Sequence, residues 1–252
     1  MKAILFIIIA AVGILMLAGE AQAEQLLNNW ERGELLASDD FSGGLSGWMA
    51  EGDVEARVED GRLRFEATEK TETKKGNIWW RQRFSGPVMI EFDYQSATEH
   101  GLSMFWFNTH GRGGADLLSI ERDGRYDDYV KGPINGYHVS FHRFGSGVSN
   151  LRKSYGFHMV ASSPDPIAPD DLEKHRVQVC CGDGRIRVLV DDKVVHDVID
   201  DGKTCIEGDS WSHDYPCQGT GEIFRGGYIG IRHTQKQAAY YDNFRVYSLV
   251  KP

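Results

Sequence analysis

Short runs of aromatic and β-branched residues recur from Leu63 to the C-terminus, and turns rich in Gly, Asn and Asp separate them. No long stretch carries the 3.6-residue apolar period of an amphipathic helix. The pattern therefore predicts an all-β protein, with enough strands for two packed antiparallel sheets. The clearest predicted strands cover residues 62–67, 78–84, 88–95, 102–108, 136–144, 156–161, 175–181, 185–191, 193–198, 227–234 and 240–249.

The N-terminus has the layout of an export signal. Lys2 precedes an apolar run over residues 3–19, and Ala21-Gln22-Ala23 follows. This order is typical of a secretory signal peptide cleaved after Ala23. We therefore expect residues 1–23 to be removed and residues 24–252 to form one secreted or periplasmic domain that does not associate with a membrane. An uncleaved anchor is the alternative, because the apolar run approaches the length that spans a bilayer.

The charges of the chain are unevenly distributed. The chain has 28 Lys and Arg residues and 37 Asp and Glu residues, which give a net charge of −9. This excess of acid argues against nucleic acid or an anionic membrane as a general partner. Residues 132–163 instead carry a net positive charge, because they contain Arg and Lys but no acidic residue. Their basic and imidazole side chains include His138, His142, Arg143, Arg152, Lys153 and His158.

Two neighbouring segments place these groups on one predicted surface. In the strand over residues 136–144, apolar residues alternate with His138, Ser140 and His142, so a period of two puts those three on the face away from the core. In the next segment, the same alternation assigns Leu151, Phe157 and Met159 to the apolar side and Asn150, Arg152 and His158 to the polar side, provided that no bulge intervenes. If the two strands pair, their polar faces coincide.

A cationic sheet face of this kind suits an anionic sugar. A guanidinium group binds a carboxylate through two hydrogen bonds, and an imidazole exchanges protons near neutral pH. We expect Arg152 and Asn150 to neutralise the carboxylate of a uronate and to stabilise the enolate of a β-elimination, assisted by Arg81 or Arg232. The alternative is that each group is an ordinary polar surface residue.

The same hypothesis needs a base and an acid. His138 or His142 would remove the C5 proton, and His158, Tyr129 or Tyr240 would protonate the leaving oxygen. Aromatic faces also stack on sugar rings. The predicted sugar-binding residues are Arg81, Trp106, Asn108, Tyr129, Arg143, Lys153, Arg232 and Tyr240.

Two other functions fit the same fold. One is a lectin-like module that binds a glycan without turnover. The other is a glycoside hydrolase that uses the carboxyl groups of Glu91 and Asp93, which lie on one strand face. We expect no cofactor. We also expect no catalytic metal, because His138 and His142 lie four residues apart on a strand and are too distant to bind the same ion. The Asp-rich turns leave a structural Ca²⁺ ion as an open alternative.

Loops and cysteines add two further expectations. The segments 109–133 and 200–226 are long for a compact domain, and such loops often line binding sites. Cys205 and Cys217 bracket part of the second loop and are the favoured disulfide, although four cysteines allow three pairings. Cys181 is in phase with apolar neighbours and is expected in the core, whereas Cys180 faces the other way.

Three stretches carry a family resemblance. Residues 135–143 read Asn-Gly-Tyr-His-Val-Ser-Phe-His-Arg, residues 150–158 read Asn-Leu-Arg-Lys-Ser-Tyr-Gly-Phe-His, and residues 101–107 read Gly-Leu-Ser-Met-Phe-Trp-Phe. They resemble the bacterial YesU-like family, which is defined by a domain of unknown function. The ends of the mature chain, around Asp39 and at residues 241–246, are similar to those of concanavalin A-like lectin/glucanase sandwiches.

The resemblance implies a jelly-roll β-sandwich of two antiparallel sheets with a concave groove. It also implies a role in bacterial breakdown of uronate-containing plant or algal polysaccharides or oligosaccharides, without an established reaction. The loop at residues 205–217 departs from the family as an insertion.

Overall fold

The computed structural model of the protein describes residues 30–68, 75–130, 132–142, 146–203, 221–234 and 236–251. Within these residues the chain forms sixteen strands, one short α-helix and two 3-10 helices. The strands are β1 (Glu31–Asp39), β2 (Trp48–Gly52), β3 (Val54–Glu59), β4 (Arg62–Ala67), β5 (Gly76–Trp80), β6 (Phe84–Ser85), β7 (Val88–Ser96), β8 (Leu102–Gly111), β9 (Ile134–Phe141), β10 (Val148–Ser154), β11 (His158–Pro164), β12 (Lys174–Gly182), β13 (Arg185–Val190), β14 (Lys193–Ile199), β15 (Gly226–Thr234) and β16 (Ala238–Val250). Helix α1 spans Tyr126–Val130, and the 3-10 helices span Arg112–Gly114 and Leu117–Ser119.

The strands form two antiparallel sheets of eight strands each. The first, called the site sheet below, has the order β11-β10-β9-β8-β15-β5-β2, with β6 paired to β15. The second, called the back sheet, has the order β14-β13-β12-β7-β16-β4-β3, with β1 paired to β16. This arrangement confirms the prediction of a concanavalin A-like jelly-roll β-sandwich.

The core lies between the sheets and follows the two-residue period of the strands. Phe105, Val139 and Leu151 of the site sheet are fully buried against residues of the back sheet such as Phe92. The ring centroids of Phe92 and Phe105 are 4.7 Å apart. Since successive side chains alternate in direction, the residues between these apolar positions point to the outer face of the site sheet.

The outer face of the site sheet is itself partly covered. The segment 109–133 was predicted as a long loop, and it contains α1 and both 3-10 helices. Its residues Leu117 and Tyr129 pack with Ile134 onto Trp79 and Trp106 of the sheet. Strand β9 is therefore buried on both faces over most of its length, rather than half exposed to water.

Cysteine placement agrees with the strand period. Cys181 lies in the core between the sheets, as predicted, and Cys180 packs on the opposite face against Trp30 and Met89. Both are free thiols. Cys205 and Cys217 lie outside the described residues, as do Arg143 and the predicted signal peptide.

No helix in the described part of the chain is both long enough and apolar enough to cross a membrane.

Candidate functional site

A cavity of about 150 Å³ lies on the outer face of the site sheet, beneath α1. Strands β8, β9, β10 and β15 form its floor, and α1 and the turn between β10 and β11 contribute its cover. Its lining residues are Lys75, Leu102, Met104, Trp106, Tyr126, Tyr129, Val130, His138, Ser140, Asn150, Arg152, Phe157, Arg232 and Thr234. None of these described residues is acidic, and three are cationic.

Strand register aligns the floor residues in two adjacent rows. The first row holds Trp106 of β8, His138 of β9 and Arg152 of β10. The second row, two residues along the strands, holds Ser140, Met104 and Arg232. Because residues two apart on a strand share a face, both rows point into the cavity.

A glycine allows the aromatic floor to continue across β15. Gly230 pairs with Trp106 on one side and with Trp79 on the other. A Cβ atom on Gly230 would lie 2.3 Å from Cε3 of Trp79, so the indole ring occupies the space that any other residue would fill.

His138 is the most unusual group of the cavity. Its side chain lies between two aromatic rings, with centroid distances of 4.4 Å to Trp106 and 5.3 Å to Phe157. The residue is 2% exposed. Burial, followed by the positive charges of Arg152 and Arg232, lowers the pKa of His138 well below its ordinary value of 6.5. The imidazole is therefore neutral at physiological pH.

Several polar atoms of the cavity wall have no hydrogen-bond partner within the described residues. They are both ring nitrogens of His138, Nε1 of Trp106 and Oγ1 of Thr234. Buried polar groups in folded proteins are normally paired. The unpaired atoms are therefore an unusual feature of this wall.

The two cavity guanidinium groups are buried and held in place by stacking. Cζ of Arg152 lies 4.3 Å from the ring centroid of Phe157, and Cζ of Arg232 lies 4.0 Å from that of Tyr129. Each also donates to a backbone carbonyl: Arg152 to Phe157 at 2.7 Å and Arg232 to Gly124 at 3.2 Å. Such groups are oriented for planar, bidentate binding of an anion.

A buried acid lies behind the cavity, but other groups compensate its charge. Glu51 accepts hydrogen bonds from Arg122 at 2.7 Å, from Asn77 at 3.0 Å and from the hydroxyl of Tyr129. Burial raises the pKa of Tyr129 above its usual range, so the hydroxyl stays protonated. Arg122 therefore compensates the negative charge of Glu51.

Asn150 is fixed beside these cations. Its backbone N–H donates to Oγ of Ser140 at 3.0 Å, and its side-chain oxygen accepts from Ser162 at 2.9 Å. The structure thus brings together six residues that the sequence singled out. They are Trp106, Tyr129, His138, Asn150, Arg152 and Arg232.

His142 does not share this face, and its predicted placement is wrong. The residue follows the end of β9 with a φ of 49°, which breaks the alternation. Its ring nitrogens lie 3.0 Å from the carbonyl of Pro169 and 3.3 Å from Oε1 of Gln237. The imidazole is buried in a hydrogen-bonded network outside the cavity.

A β-bulge reverses the predicted phase of the next strand. Pairing runs from Leu151 opposite Ala161 to Arg152 opposite Met159, which skips one residue. His158 consequently pairs with Lys153, on the face opposite to Arg152. Phe157, which was assigned to the apolar side, instead has a φ of 56° and lines the cavity.

Four other predicted sugar-binding residues lie elsewhere. Lys153 points inward and forms a buried ion pair with Asp200. The side chain of Asn108 is buried and donates to the carbonyl of Phe224. Arg81 is exposed and contacts the carbonyl of Trp48, and Tyr240 lies on the back sheet with Arg64 and Glu59.

The carboxylates of the hydrolase alternative also lie on the back sheet. Glu91 accepts a hydrogen bond from Gln178 at 2.9 Å, and Asp93 accepts one from Asn243 at 3.0 Å. Neither lines the cavity, so the two groups do not flank a ligand bound there.

Sequence reasoning missed Glu51 and Arg122, because 71 residues separate these partners and no local pattern links them. It also missed Lys75 and Tyr126, although Tyr126 belongs to a loop that was expected to line a site. Among the described residues, no group of three or more His, Cys, Asp or Glu side chains could hold a metal ion. The expected absence of a catalytic metal stays a prediction, and so does the alternative of a Ca²⁺ ion.

Comparisons with known proteins agree with the sequence resemblance. Residues 34–246 match the sequence profile of a family described as "Domain of unknown function (DUF1961)". The chain is 28% identical over 185 residues to the uncharacterized protein YesU of Bacillus subtilis, covering 69% of this chain and 77% of that protein.

Solved structures show the same fold. A Bacillus subtilis protein of unknown function with a galectin-like fold superposes with a TM-score of 0.77 at 24% identity, covering 88% of this chain and 100% of that chain. An endo-beta-1,3-glucanase from Pyrococcus furiosus superposes with a TM-score of 0.57 at 16% identity, covering 88% of this chain and 96% of that chain.

Proposed function

This chain belongs to the DUF1961 family, and we propose that it is a carbohydrate-active protein that binds an acidic sugar, such as a uronate, and catalyses β-elimination. The observation that carries the proposal is a neutral, buried His138 beside two buried guanidinium groups in a cavity lined by no acid among the described residues. The fold shared with a glucanase supports a carbohydrate ligand, and the two buried guanidinium groups that line the cavity support an anionic one.

The first step is neutralisation of the carboxylate. Arg152 and Arg232 bind it, and Asn150 contributes an amide beside Arg152. Fixed cations in a water-poor site stabilise the enolate that forms when the C5 proton leaves. Because both guanidinium groups are already stacked and hydrogen bonded, little reorganisation is needed during the reaction.

His138 transfers the proton. Its neutral imidazole accepts the C5 proton, the electron pair of that C–H bond forms the C4–C5 double bond, and the C4–O bond breaks. The resulting imidazolium is disfavoured by burial and by Arg152 and Arg232. It therefore passes the proton to the departing oxygen and returns to the neutral form.

Binding without turnover is the second candidate function. It is favoured by the near-complete burial of His138, whose ring is covered on its two sides by Trp106 and Phe157. Either activity would take place outside the cytoplasm if the predicted signal peptide directs export.

The proposal is tested by incubating the protein with uronate-containing polysaccharides and with a neutral glucan. We expect ultraviolet absorbance of unsaturated uronate to increase with an acidic substrate only. New reducing ends without that absorbance would indicate hydrolysis and contradict the proposal. Saturable binding of uronate saccharides without either product would favour the second candidate.

Replacing Arg152 with methionine should weaken binding of a uronate saccharide by about 2–5 kcal/mol, or roughly 30-fold to several thousand-fold in Kd. The reason is that the carboxylate would be buried with one fewer cation. The control is Arg81→Met, which removes an exposed guanidinium outside the cavity and should leave Kd unchanged. Titration calorimetry measures both, and equal affinities would exclude Arg152 from the site.

The pH dependence of kcat/KM provides a further prediction. A base acts in its deprotonated form, and the pKa of His138 is lowered by burial and by two cations. Activity should therefore stay constant as the pH falls to 6.5 and decline only at more acidic pH. Below pH 6.5 the unfolded chain binds a proton at this histidine and the folded protein does not, so the free energy of unfolding also falls with pH. The folded fraction must therefore be measured at each pH. An acidic limb at or above pH 6.5 would contradict the assignment.

A further inference from the structure

We infer that the cavity binds the terminal residue of an acidic saccharide chain, rather than a residue in the chain interior. This inference rests on the proposed function and adds the mode of action to it. A groove that binds a chain interior must be open at both ends, whereas a cavity closed on several sides admits only a chain end. The described residues close three sides of this cavity.

The side towards β5 and β2 is filled by an ion pair. Arg122 of the covering segment reaches Glu51 of β2, with 2.7 Å between Nη2 and Oε2. The side chains of both residues are almost inaccessible, at 0% and 8% exposure. Arg122 also lies over Trp79, with its Cζ 5.7 Å from the ring centroid. A sugar chain cannot continue across the sheet in this direction.

The side along β8 towards its C-terminal end is closed by apolar packing. Leu117, Tyr129 and Ile134 are buried against Trp106 and Trp79. Arg122 also donates to the carbonyl of Leu117 at 2.8 Å, which ties this packing to the ion pair. The two closed sides therefore form one continuous wall.

The third side is bridged from α1 to the turn between β10 and β11. The N–H of Gly156 donates to the carbonyl of Val130 at 2.9 Å. The rings of Tyr126 and Phe157 meet edge to face, with centroids 5.6 Å apart. Phe157 of this bridge contacts both His138 and Arg152.

The size and polarity of the cavity agree with a single terminal sugar. Its volume of about 150 Å³ is well below the roughly 300–1,000 Å³ typical of pockets for drug-sized ligands. Among the residues that line the cavity, Arg152 and Arg232 are buried, whereas Lys75 is half-buried and Tyr126 is exposed. The carboxylate that the guanidinium groups bind therefore belongs to the sugar that enters first.

The test compares a free uronate, oligouronates of defined length and the polymer of the same sugar, with the unmodified protein. We expect the monosaccharide and a hexasaccharide to bind with Kd values within a few-fold of each other. We also expect unsaturated monosaccharide to be released from the polymer at the earliest time points. Oligomers of intermediate size at early times, or binding of the hexasaccharide alone, would overturn the inference.

Modified ligands locate the required carboxylate. One set of hexasaccharides has the carboxyl group of a terminal residue reduced to an alcohol, at either end in turn, and a matched ligand has only interior residues reduced. Because elimination at C4 separates the bound residue from its neighbour on the non-reducing side, binding should be lost when the reducing-end residue is modified and retained when only interior residues are modified. Loss with the interior ligand alone would overturn end recognition but keep acidic-sugar binding. Failure of every acidic saccharide to bind would overturn the proposed function as well.

Discussion

Replacement of His138 by glutamine should lower the turnover of an acidic saccharide by about 10²- to 10⁴-fold, the usual effect of losing a general base. Glutamine is polar and similar in length but cannot accept a proton. Since neither ring nitrogen of His138 has a hydrogen-bond partner within the described residues, the substitution breaks no hydrogen bond there. The fold and the Kd of the substrate should therefore change little, and kcat should carry the loss.

His142 provides the matched control, because the sequence pattern predicted the same role for both histidines. His142→Gln should retain turnover within a few-fold per folded molecule, since this imidazole lies against Pro169 and Gln237, outside the cavity. Steady-state kinetics of both variants test this assignment, and circular dichroism measures the folded fraction of each. Full turnover in His138→Gln would show that the base is another group.

Replacement of Asp200 by asparagine should lower the free energy of unfolding by about 3–5 kcal/mol, because it leaves a buried cation without its counter-charge. Nζ of Lys153 lies 2.6 Å from Oδ2 of Asp200, and both side chains are 0% exposed. The hydroxyl of Tyr137 donates to the same oxygen at 2.6 Å. The N–H of Gly202 donates to the other oxygen, so the carboxylate connects strands of the site sheet to the chain after β14.

Asp201→Asn is the control for this prediction. Asp201 is the next residue in the chain and is exposed, so its substitution should change the free energy of unfolding by less than about 0.5 kcal/mol. The double variant Lys153→Met with Asp200→Leu removes both charges and should be more stable than Asp200→Asn. Urea denaturation measures all three. If Asp200→Asn unfolds like the original protein, the ion pair contributes little to stability.

The same pair explains why a local pattern misassigned Lys153. The sequence shows a lysine beside Arg152 in an acid-free stretch, which favours a cationic surface. Its partner Asp200 is 47 residues away and becomes its neighbour only through the packing of the two sheets. Charge patterns within one segment therefore could not distinguish a ligand-binding cation from a structural one.

Strand prediction succeeded where aromatic and β-branched residues dominate. The predicted strand at residues 62–67 matches β4 at both ends. Strands β1, β2 and β3 were not among the clearest predictions, because much of their length is exposed or half-buried and their sequences are correspondingly polar. Strand β10 was not predicted separately from β11, since the tight turn at residues 155–157 carries aromatic side chains like those of a strand.

The amino-acid sequence alone predicts the all-β class, the family resemblance and a cationic face that contains His138, Asn150 and Arg152. These follow from local periodicity and composition, which the chain carries wherever it folds. Which side chains share the cavity depends on how the folded chain packs in three dimensions. A positive φ at His142 and a bulge at Val160 of β11 changed the directions of His142 and His158, and the covering segment brought Arg122 to Glu51 and closed the sheet face. Such features depend on contacts between distant segments, which no local pattern records.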